Sequence, residues 1–154
     1  MEVFTNTVFK REEKPAKTTM SGIREAEVGP PPVYGGSELT LNPEEMFVAA
    51  INSCIMLVFY HFAKKLKVEV LSYSSKAQGK VEKTKDGLRF TSVEVKAKVL
   101  LSDNNQAEKI EEIAQLAEKY CLVSGSVACP VEYGVEVVDE TSPAMSKSKS
   151  VKQF

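Results

Sequence analysis

The feature that most constrains this chain is the run from Met46 to Ala63, MFVAAINSCIMLVFYHFA. A stretch this long and apolar is near the lower limit for a membrane span. It also contains Asn52, Ser53, Cys54, Tyr60 and His61, and its flanks carry ordinary helix-cap signals. Asn42 suits an N-cap, Pro43 suits the first helical position, and Glu45 completes a capping-box-like pattern. Glu44 and Glu45 favour the positive end of the helix dipole, and Lys64, Lys65 and Lys67 the negative end. One long helix is expected from Asn42 to about Leu66, roughly 35 Å in length. Met46, Ala49, Ala50, Cys54, Leu57 and His61 fall on one side, while Phe47, Ile51, Ile55, Val58 and Phe62 cover another. A helix apolar nearly all round must be wrapped on most sides by protein. The reading is a fully buried core helix rather than a membrane span.

The wrapping should come from strands. Val68 to Glu82 and Leu88 to Leu101 are long strand candidates, with Asp86-Gly87 as the hairpin signal between them. In the second, Val93, Val95, Ala97, Val99 and Leu101 alternate with polar residues, so one face is buried and the other wet. Asn105 to Tyr120 reads as an amphipathic helix with Ala107, Ile110, Ile113, Ala114 and Ala117 inward. Val131, Tyr133, Val135 and Val137 make a last half-buried strand. Upstream, Glu2 to Phe9 is β-prone, Lys10 to Lys17 is a charged turn, and Thr18 to Val28 is a strand broken by Gly22. GPPPVYGG, residues 29 to 36, should be an exposed loop. The order β-β-α-β-β-α-β gives an α+β fold, a long buried central helix packed on an antiparallel sheet. Residues 1–140 are expected to form a single domain, and 141–154 a flexible polar tail.

Bulk properties narrow the function. With 154 residues the chain can bury a core without disulfide staples. A formal charge of −1, with acids and bases mixed along the chain, argues against nucleic-acid binding. The N-terminus lacks a basic start followed by an apolar segment, so no signal peptide is expected. Three cysteines make no even secreted framework and suit a reducing, cytoplasmic setting.

A thiol is nucleophilic only as thiolate. Cys54 lies mid-helix among Ile51, Ile55 and Val58, where desolvation pushes its pKa the wrong way, and unaided it is an inert core residue. A function needs a cation brought to it by tertiary structure. Cys121 precedes the small-residue run Ser124-Gly125-Ser126, a short turn that would let it move as a disulfide partner must. Cys129, before Pro130, reads as packing. The spacings of Cys54, His61, Cys121 and Cys129 match no common zinc pattern. His61 lies about 10 Å along the helix axis from Cys54, beyond hydrogen-bond reach, and reads as a core or interface histidine.

NPEEMFVAAINSC, Asn42 to Cys54, resembles the first cysteine block of the OsmC/Ohr family, and EKYCLVSGSV, Glu118 to Val127, resembles its second. Gly35-Gly36 and the strand order match as well, so the resemblance covers about residues 2 to 138. It implies an OsmC-like, intertwined homodimer with the long helices at its centre. It also implies a cysteine-based peroxidase for organic hydroperoxides, with Cys54 attacking the peroxide and Cys121 resolving the product as a disulfide. An external dithiol, a lipoyl protein in some branches, is the implied reductant, and no bound cofactor or metal is needed. The family places an Arg–Glu pair near the reactive cysteine, and Glu44 matches the Glu. On a straight helix Glu44 is about 15 Å from Cys54, so it would act by holding an arginine or by crossing from another chain. The segment before the first block, VYGGSELTL, contains no arginine, which leaves Arg11 in the first hairpin and Arg24 as candidates. The competing expectation is a non-catalytic module that holds a hydrophobic ligand or senses redox state, lined by Met46, Phe47, Leu57, Phe59 and Phe62.

Overall fold

The buried Asn42 starts the long helix as its side chain demands: Oδ1 accepts the backbone N–H of Glu45 at 2.8 Å, with Pro43 in the first turn. In the computed structural model, which describes residues 1–11, 14–20 and 25–139, this helix is α1, Pro43–Lys65. The chain gathers into two compact units, Met1–Phe47 and Val48–Phe154. The proposed break at Gly22, the candidate Arg24 and the tail 141–154 lie outside the described residues.

The first unit is a small antiparallel sheet of β1 (Asn6–Phe9), β2 (Ala16–Met20) and β3 (Ala26–Val28). The buried Thr18 of β2 accepts a hydrogen bond from Asn6 Nδ2 at 2.8 Å, which ties β1 to the sheet. Both faces of β1 are exposed, Val8 and Phe9 included. In the GPPPVYGG loop, Gly36 packs so tightly that a Cβ there would lie 1.6 Å from the Pro30 carbonyl oxygen, so only glycine fits.

The second unit holds most of α1, the sheet β4 (Val70–Thr84), β5 (Gly87–Leu101) and β6 (Val131–Val138), and two helices, α2 (Lys109–Tyr120) and the single turn α3 (Leu122–Gly125). The hairpin between β4 and β5 falls at the expected place, with Gly87 at φ 98. The alternation in β5 holds as well: Val93, Val95, Ala97, Val99 and Leu101 are buried, as are Ile110, Ile113, Ala114 and Ala117 of α2. One pairing differs from the antiparallel expectation. β4 and β5 are antiparallel, but β6 runs parallel to β5, because α2 and α3 carry the chain back across the sheet before β6 begins.

Burial of α1 is narrower than its composition suggests. Ile51, Ile55, Phe59 and Ala63, four residues apart, form one buried stripe, whereas Ser53, Leu57, Tyr60 and His61 are exposed. The helix therefore lies on the sheet with one side only. It crosses β4 at Gly79, where a Cβ would come within 2.9 Å of Val48 and 2.7 Å of the Phe90 ring. Further along, Ser75 Oγ donates to Asn52 Oδ1 at 2.7 Å and Phe59 stacks on Tyr73. α1 is long and apolar enough to cross a membrane, but these contacts are those of a core helix. Lys67, at φ 57, ends it: Val68 N–H donates to Ala63 and Lys67 N–H to Lys64, the paired bonds of a Schellman turn.

Candidate active site

Cys54 and Cys121, far apart in the sequence, meet in the second unit. Cys121 closes α2 with an extended backbone (φ −69, ψ 110) and opens α3, whose first turn begins at Leu122. That kink matters because the first amides of a helix have no partner within it. Here those of Leu122 and Val123 face the Cys54 sulfur and favour its ionised form. The Cys121 thiol, itself buried, lies beside Cys54 and acts on it.

The electrostatics divide. Burial pushes the Cys54 thiol up, and so does the adjacent Cys121, while the two amides pull it down. The net direction is upward from the ordinary thiol value. None of these governing groups carries a positive charge, so the desolvation expected from sequence prevails among the described residues.

An open cleft of about 700 Å³ lies beside Cys54, lined by Leu57, Val58, His61, Phe62, Lys65, Leu116 and Tyr120. It runs along one face of α1 toward the end of α2. Sequence reasoning picked out Leu57 and Phe62 as lining residues, and both are, but Met46 and Phe47 are not on the cleft wall and Phe59 lies in the core. It missed Leu116 and Tyr120, which only tertiary folding brings to α1. His61 corrects an expectation in part: it is not a core residue but is exposed on the cleft wall, edge-on to Phe62. Cys129 is half-buried before β6.

Glu44 stands in the first turn of α1, half-buried, with Oε2 shielded from solvent and without a hydrogen-bond partner among the described residues. Arg11 is exposed between β1 and β2, its carbonyl accepting the Lys14 N–H.

Two phenols complete the neighbourhood. Tyr73 of β4 and Tyr133 of β6 flank β5 on its inward face and join hydroxyl to hydroxyl at 2.8 Å. Between their partners Val99 and Val95 on β5 stands the small Ala97, which leaves room for both rings. Burial, then Tyr73, then charge on the Cys121 thiol push Tyr133 far above the ordinary phenol range.

A long helix carrying one thiol, set over a sheet and facing a second thiol at a helix break, defines a two-cysteine α+β protein. The chain belongs to the OsmC-like protein family, whose model matches residues 35–136. A solved OsmC-like protein of unknown function from Vibrio cholerae is 26% identical, with a TM-score of 0.79 over 88% of this chain and all of the other. An uncharacterised protein of Methanocaldococcus jannaschii is 25% identical over 66% of this chain, and the match spans about half (52%) of that relative. An organic hydroperoxide resistance protein from Elizabethkingia anophelis, 19% identical, shares the fold with a TM-score of 0.70 over 90% of this chain and 97% of its own.

Proposed function

We propose that this chain is a cytoplasmic thiol peroxidase that reduces organic hydroperoxides and serves in peroxide defence. The observation that carries the reading is the meeting of Cys54 and Cys121, with the Leu122 and Val123 amides on the Cys54 sulfur. Cys54 thiolate attacks the outer peroxide oxygen, the O–O bond breaks, an alcohol leaves, and the sulfur becomes a sulfenic acid. The two amides stabilise the sulfur while it is charged. Cys121 then attacks the sulfenic sulfur, water leaves, and a Cys54–Cys121 disulfide forms. An external dithiol, such as a lipoyl group, reduces it. The apolar cleft takes the organic part of the peroxide.

The missing positive charge is assigned to Arg11 or Arg24, held by Glu44, whose bare carboxylate oxygen suits such a partner. A homodimer fits the same need. A second copy laid over the exposed side of α1 would cover apolar residues left bare in the single chain and close the cleft around Cys54. The membership of the family in which hydroperoxide resistance proteins occur supports this reading.

The test is a single-turnover reaction with cumene hydroperoxide, followed by mapping of the thiols by mass spectrometry. A Cys54–Cys121 disulfide formed with one equivalent of peroxide is the expected result. An unreactive Cys54 would instead favour a binding module that uses the cleft for an apolar ligand.

A further inference from the structure

α1 meets the sheet along β4 in three places: Val48 lies over Gly79, Asn52 bonds Ser75, and Phe59 packs on Tyr73. The first and last contacts are apolar, and apolar attraction has no preferred direction. The middle one is directional. Ser75 Oγ donates to Asn52 Oδ1 at 2.7 Å, and both residues are half-buried. Direction matters here because α1 carries two apolar stripes. Ile51, Ile55, Phe59 and Ala63 are buried, while Ala50, Cys54, Val58 and Phe62, with the same spacing, stand one residue step, about 100°, round the helix. Burial favours the first stripe, whose side chains are larger, but it falls off gently with rotation and does not fix the angle. A helix turned toward the second stripe would press Cys54 against the sheet and out of the cleft it now lines. The same turn would carry Asn52, on the other flank of the buried stripe, away from β4. The Asn52–Ser75 bond therefore exists in one rotational setting and not in the other. A polar pair in an apolar layer costs desolvation, and selecting one arrangement among near-equals is the best-attested use of such a group.

We propose that Asn52, held by Ser75, is a positioning residue for Cys54: it fixes the rotation of α1 so that the thiol faces Cys121 at the break between α2 and α3. This deepens the peroxidase reading and rests on its pairing of the two thiols. Cα atoms lie about 2.3 Å from a helix axis and the sulfur lies farther out, so a turn of about 20° moves it on the order of 1 Å. A disulfide tolerates little such error, because its bond length and torsion are narrowly set. A misplacement of about 1 Å lowers the effective concentration of a reacting pair by up to about a hundredfold. Asn52 acts through the helix and takes no part in the chemistry.

The test measures thiol pairing at equilibrium, without peroxide. In the full chain carrying Cys129→Ser, Cys54 and Cys121 are the two thiols left. Glutathione disulfide oxidises them to the Cys54–Cys121 disulfide and is itself reduced to two glutathione thiols. The glutathione ratio at half-oxidation gives the effective concentration of one protein thiol at the other. Asn52→Leu with Ser75→Ala removes both polar partners and keeps the packing, so the urea midpoint should stay near the parent's. The effective concentration should fall about ten- to a hundredfold. Ser75→Ala alone, which deletes one oxygen, should lower it in the same direction but less. An unchanged effective concentration in the double variant overturns the proposal. So does a parallel loss of stability and pairing, which would make the pair a plain structural bond. Should the double variant fail to fold, an unmoved value in Ser75→Ala overturns it equally. A parent that closes the disulfide with glutathione disulfide but not with cumene hydroperoxide sinks the peroxidase reading and leaves the role of Asn52 standing. A parent that forms it with neither overturns both.

Discussion

The backbone amide of Val123 faces the sulfur of Cys54 and favours its thiolate. It is left to do so because Cys121 breaks the helix: an unbroken α2 would have spent the Val123 amide on a carbonyl of its own previous turn. One backbone kink therefore places the second thiol and points two donors at the first. These donors favour the thiolate, yet burial and the Cys121 thiol outweigh them. Two neutral dipoles do not replace a full charge.

The shortfall predicts what removal of the arginines should do. If a guanidinium supplies the missing charge, Arg11→Gln with Arg24→Gln leaves Cys54 to the groups in its own unit, all of which together push it upward. The proton is then held to higher pH. At neutral pH the alkylation rate of Cys54 should fall about ten- to a hundredfold, and raising the pH should restore it. Iodoacetamide kinetics between neutral and alkaline pH check this, and identical profiles for parent and variant exclude both arginines.

Gly79 sets how closely α1 approaches the sheet. A valine there would drive its Cβ to 2.7 Å from the Phe90 ring and 2.9 Å from Val48, so strand and helix must separate. Gly79→Val should destabilise the fold by about 1–3 kcal/mol, an overpacking penalty. The midpoint of urea denaturation measures it, and an unchanged midpoint would mean that α1 and β4 have room the contacts deny.

Much of this architecture was legible from local pattern. The cap at Asn42, the Asp86-Gly87 hairpin and the alternation in β5 are each set by neighbours within a few residues, and each is found where the pattern places it. The two cysteine blocks were legible through resemblance, and the desolvation of Cys54 through its apolar neighbours. The parallel β6 was not, because the strand alternates identically in either direction and only the crossover fixes its sense. Nor were the Leu122 and Val123 amides, since a backbone donor leaves no mark in the side-chain sequence. Tyr133 looked like one inward position among four. Its meeting with Tyr73 depends on a register across three strands and on the smallness of Ala97.

Lys67 offers a stability test independent of the thiols. It holds the left-handed conformation that ends α1, at φ 57, where a Cβ is crowded and glycine is not. The gain from relieving that crowding exceeds the extra chain entropy of glycine only modestly. Lys67→Gly should therefore raise stability by up to about 1 kcal/mol, read as a higher melting temperature. A fall of that size would show that the lysine stem or charge stabilises the helix end more than its backbone costs.

The assignment of the second thiol is tested by taking each candidate away. Cys121 is buried against Cys54, whereas Cys129 lies half-buried at the approach to β6 and is not among the groups that chiefly act on Cys54. Without Cys121, the sulfenic acid on Cys54 has no thiol to condense with and remains open to a second peroxide. Cys121→Ser should therefore complete one turnover and then accumulate the sulfinic form at Cys54, visible as two added oxygens in the intact mass. Cys129→Ser should sustain turnover with the same disulfide. Cys54→Ser should consume no peroxide at all. Were Cys129→Ser to stall like Cys121→Ser, the roles given to the two downstream thiols would be reversed, and the contact at the helix break would be packing rather than chemistry.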